Sequence, residues 1–118
     1  MAIPVLHHLS SPDLERGRLP PDPASCAIAM DAEIGPAADG GAERFSFLVV
    51  TPDCALTGGG SRWGRGSLIV DHFSWELVER ALSKLLLHAD RASWKESARE
   101  LAKELHWEFE GYSEALRR

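Results

Sequence analysis

The chain is poor in the residues that usually announce chemistry. It has two cysteines and one tyrosine among its 118 residues. Cys26 and Cys54 form no CxxC pair and stand at no metal-ligand spacing. They read as buried thiols of a reducing compartment, which makes the cytoplasm the expected location. The N-terminus, Met1-Ala2-Ile3-Pro4-Val5-Leu6-His7-His8, lacks the basic and then apolar pattern of an export signal. Strongly apolar runs such as Leu85-Leu86-Leu87 fall far short of the roughly 20 residues that span a bilayer. No HxxxH spacing occurs, and the rings of the adjacent His7 and His8 point to opposite faces of a strand, so no metal site is expected. The glycine-rich segment 57–66 matches neither GxxxxGK[ST] nor GxGxxG, and Gly60-Ser61-Arg62 is no nucleophile elbow. It reads as a loop. No cofactor is implied.

Positive charge is also in deficit. Eighteen acidic against 13 basic residues leave a net charge of −5, which disfavours nucleic acid and anionic membrane as partners and suits a basic protein. An apolar fraction of 44% with 26% charged residues is that of an ordinary globular chain. The length suits one domain spanning 1–118.

Period-two patterning predicts strands over 3–9, 25–34, 43–51 and 67–70. Cys26, Ile28, Met30, Ala32 and Ile34 share one face of the second strand, and Asp31 and Glu33 lie on the other. Phe45, Phe47 and Val49 likewise share a face, and the turn residues 35–41 join these two strands as a hairpin. The proline-rich stretch 18–23 is a loop. Ser74 caps a helix to about His88, with Trp75, Val78, Leu82, Leu85 and Leu86 as its apolar stripe. Ser93 and Glu96 form a capping box before a second helix with Trp94, Ala98, Leu101 and Leu105 on one face. Strands followed by helices predict an α+β fold: an antiparallel sheet with two helices packed on one face.

The stretch His106-Trp107-Glu108-Phe109-Glu110-Gly111-Tyr112 concentrates a histidine, two carboxylates and a tyrosine. On a strand His106, Glu108 and Glu110 share a face, neighbours roughly 6 to 7 Å apart. Two carboxylates so placed suit a small hydrolase. Yet Trp107 and Phe109 alternate with them, so the same residues serve as the wet face of a strand whose other face is core. The second reading is preferred: no catalytic residue and no enzyme, with a generic protein-interaction domain as a further alternative.

Taken in order, several stretches resemble the immunity protein 8 family of bacterial polymorphic toxin and contact-dependent growth inhibition systems. They are Ser11-Pro12-Asp13-Leu14, Leu19-Pro20-Pro21-Asp22-Pro23, Glu33-Ile34-Gly35-Pro36, Phe45-Ser46-Phe47 on to Thr51-Pro52, Leu68-Ile69-Val70 before Trp75-Glu76, and His106-Trp107-Glu108-Phe109-Glu110. The resemblance covers roughly residues 5 to 112 and implies a cytoplasmic inhibitor that binds the C-terminal toxin domain of a cognate effector. Many such toxins are nucleases with basic grooves, which an acidic partner fits by charge. The candidate contact residues are Asp31, Glu33, Glu108 and Glu110, with Trp63 and Tyr112 as aromatic anchors.

Overall fold

The computed structural model describes residues 3–36, 41–56 and 66–108. Alternating sequence becomes three long strands: β1 (Val5–Ser10), β2 (Ala27–Gly35) and β3 (Glu43–Val50), paired antiparallel in chain order. On β2 the residues Ile28, Met30, Ala32 and Ile34 are buried, and on β3 Phe45, Phe47 and Val49. Each large apolar side chain so buried contributes about 1.5–3 kcal/mol.

β1 obeys the same rule with one correction built in. Its core residues Leu6 and Leu9 are three apart, out of step with a strand's period of two. The register slips between Leu6 and His8, a bulge that adds one residue, so Leu6 aligns with Ile34 and Leu9 with Ala32. Both leucines therefore face the core, and His8 is set opposite Glu33 on the other face.

After β3 comes a five-residue helix, α1 (Pro52–Leu56), where the sequence reading placed no helix. Pro52 opens it, a position at which a missing N–H costs nothing. Five residues are too few for helical periodicity to register. β4 (Ser67–Ile69) then pairs with β3 in parallel, so the sheet is mixed rather than purely antiparallel as expected. A strand of three residues carries no orientation signal of its own. Helix α2 (Trp75–His88) starts at the predicted cap, with Ser74 Oγ accepting from Leu77 N at 3.3 Å. Helix α3 (Trp94–Leu101) has Ser93 Oγ accepting from Glu96 N at 3.2 Å. The capping box is not reciprocal: Ser93 hydroxyl lies 3.3 Å from Glu96 Oε1, so the carboxylate meets the hydroxyl.

The last strand among the described residues, β5 (His106–Trp107), pairs antiparallel with β3, aligning Trp107 with Phe45 and His106 with Ser46. β5 and β4 thus lie end to end along one edge of β3, opposite residues 45–46 and 48–50. Gly66 sits at their junction, donating to Glu104 O at 2.8 Å and accepting from Leu48 N at 2.7 Å. Its φ of +82° is the left-handed region that suits glycine. The buried face of the sheet, the stripes of α2 and α3, Ala89 and Leu105 form one hydrophobic cluster.

Candidate functional site

The wet face of the sheet is where the sequence put its candidate contacts, and the strand register lays it out in ranks. His8, Glu33 and Arg44 are consecutive cross-strand neighbours on β1, β2 and β3. Ser10, Asp31, Ser46 and His106 form the next rank, reaching β5. His8, Glu33, Arg44 and His106 are exposed, and Ser10, Asp31 and Ser46 half-buried. Beyond them the charge stops, with Ala29 beside the half-buried Leu48 and then Ser67. Asp31 and Glu33 are therefore neighbours on one accessible face, as their spacing predicts.

Glu108 completes the upper rank, and its role is partly structural. Its N–H donates to Arg44 O at 3.0 Å, and its Oε1 accepts from Arg44 N at 2.7 Å. This two-bond clasp extends the β3–β5 pairing one residue past the strand. His106 is similarly occupied: an added Cβ on Gly66 would fall 2.3 Å from its Nε2, so the imidazole lies directly on that glycine. Two members of the suggested hydrolase trio thus have structural partners. Glu110, Trp63, Tyr112 and Phe109 lie outside the described residues. Among the described residues no group of three or more His, Cys, Asp or Glu is placed to hold a metal ion, and no helix is long and apolar enough to cross a membrane.

A second polar cluster joins the start of β2 to α1. Asp53 accepts from the Ser25 hydroxyl and, at 2.5 Å, from Thr51 Oγ1. Those two hydroxyls, Ser25 first, hold its carboxyl below the usual range. Thr51 is fully buried and accepts from Cys26 N at 3.0 Å, so the cluster fixes the chain where β2 begins and β3 ends. Burial, followed by the nearby Cys54, Asp22 and Asp53, raises the Cys26 thiol. A thiol so placed is a poor nucleophile. Cys54 is half-buried, its sulfur 3.9 Å from Ser25 Oγ.

Sequence reasoning missed Arg44, His8 and Ser46 as members of the wet face, and Glu43 as an acceptor for indole groups. The alternation of 43–49 does contain Arg44 and Ser46 on its polar side. Which residues of other strands stand beside them depends on register, and for His8 on a bulge, neither of which one strand's pattern encodes. Comparison with curated proteins gave no match, nor did comparison with solved structures. The family profile described as immunity protein 8 matches residues 5–112, spanning β1 to β5. The chain belongs to the immunity protein 8 family.

Proposed function

We propose that this immunity protein acts in the cytoplasm as a single domain over 1–118. There it binds and neutralises the C-terminal toxin domain of a cognate polymorphic-toxin effector, of the contact-dependent growth inhibition kind, with no catalysis of its own. The observation that carries this reading is the pairing of Asp31 and Glu33 on an accessible sheet face. Facing carboxylates attract a cationic surface and accelerate encounter by steering. A nuclease-type toxin, whose substrate groove must be basic to hold phosphates, is the partner this charge fits. Glu108 adds its charge to the same surface, and Glu110, Trp63 and Tyr112 are assigned to it as flanking charge and aromatic anchors.

The test is co-expression with the toxin C-terminal domain encoded beside the gene, scoring growth and co-purification. Rescue and a stable complex are expected. Growth arrest with no complex overturns the reading.

A further inference from the structure

The opposite side of the β4–β5 edge holds a feature that the acidic sheet face does not use. Between α2 and the turn after α3 lies a half-open hollow of about 220 Å³. Phe47, Leu68, Ala81, Leu82, Leu85 and Leu105 line it. A second hollow of about 190 Å³, carrying His88, Glu100 and Lys103, adjoins it, and Leu85 and Glu104 line both. The pair makes one groove, apolar at the β4 end and charged at the C-terminal end of α2. An apolar recess ringed by polar groups is the usual seat of a binding hot spot. A cavity of about 150 Å³ lined by aliphatic and aromatic residues takes up benzene, so this one has room for one large side chain.

We propose that this groove receives an anchor residue of the toxin domain: a large apolar side chain followed by a lysine or arginine that pairs with Glu104. The proposal rests on the immunity reading and deepens it. Two observations select this occupant. The carboxylate at the seam is exposed and belongs to an acidic chain, so a cationic neighbour of the anchor is complementary to it. The groove is also continuous with the acidic face around the edge of the sheet. Ser67, which lines the groove, stands beside Leu48 on that face. Glu104 is tied through its carbonyl to Gly66, on which His106 of that face rests. A partner seated on Asp31 and Glu33 that wraps this edge meets the groove at Ser67 and Glu104.

The test is titration of the toxin domain, made catalytically inactive, against the full chain, with Ala81→Trp to fill the groove and Glu104→Lys to reverse its seam. Ala81→Trp is expected to weaken binding at least 30-fold and Glu104→Lys at least tenfold, with unchanged circular dichroism. Should Ala81→Trp fail to fold, Glu104→Lys decides, because the fold uses the backbone carbonyl of Glu104 and its side chain is exposed. Wild-type affinity in folded variants overturns the groove and leaves the immunity reading standing. Absence of binding by the unaltered chain overturns both. If sedimentation shows that Ala81→Trp instead breaks a homodimer while toxin affinity holds, the groove belongs to a second copy and the proposal is wrong.

Discussion

Trp94 and Trp107 share one acceptor: their indole N–H groups donate to the two oxygens of the Glu43 carboxylate, at 2.8 Å and 2.7 Å. The first residue of β3 is thereby tied to the first turn of α3 and to β5. Phe45, two residues along, stacks on Trp107 with centroids 6.2 Å apart and meets Trp94 edge-on at 6.3 Å. Replacing Glu43 by Ala orphans two half-buried donors, at about 1–3 kcal/mol for a group deprived of its partner. Glu43→Ala should cost about 2–3 kcal/mol in urea unfolding and Glu43→Gln about half, since the amide oxygen still serves one indole. A loss below about 0.5 kcal/mol for Glu43→Ala would sink this account.

The contact between Gly66 and His106 separates steric crowding from backbone strain. Gly66→Ala meets both a positive φ and the imidazole, and the expected destabilisation is about 2–4 kcal/mol. Adding His106→Ala removes the crowding, and about 1 kcal/mol of left-handed strain should remain. Additive effects in the double mutant would mean that the imidazole does not rest on Gly66 in solution.

Glu100, whose carboxyl Lys103 and then Arg91 hold below the usual range, behaves in acid like Asp53, whose carboxyl is lowered by Ser25 and Thr51. Each is easier to protonate in the unfolded chain than in the folded one. The stability they contribute is thus complete above the ordinary carboxylate range and is lost as pH falls through it towards the folded values. Asp53→Asn and Glu100→Gln should each flatten the acid limb of a stability-against-pH curve. Salt should weaken the Glu100 contribution more, because hydroxyl donors and not cations depress Asp53. Superimposable acid limbs for Asp53→Asn and the unaltered chain would refute the assignment.

What the sequence made legible follows from periodicity. Ile28 to Ile34 and Phe45 to Val49 alternate for long enough to fix two buried faces, and by subtraction the wet face with Asp31 and Glu33. Ser74 and Ser93 announce helix starts because capping is local chemistry. Local pattern does not reach the parallel alignment of β4, set by a long connection, or α1, which is shorter than two turns. Nor does it reach the placement of Glu108, which a period-two reading makes simply a wet residue. Its clasp on Arg44 joins residues 64 apart in sequence.

The acidic face makes its strongest prediction in kinetics. Asp31 and Glu33 sit on a strand held by backbone pairing on both sides, and neither is fully buried. Reversing both, Asp31→Lys with Glu33→Lys, sets a like charge opposite Arg44 and should cost about 1–2 kcal/mol while leaving the chain folded. Against a basic toxin the association rate should fall by about ten to a hundredfold at low salt. The difference from the unaltered chain should shrink as ionic strength rises and the Debye length drops below about 10 Å. A change confined to the dissociation rate and insensitive to salt would instead mean that these carboxylates are packed against the partner as buried contacts. An unchanged rate in both directions would remove them from the interface.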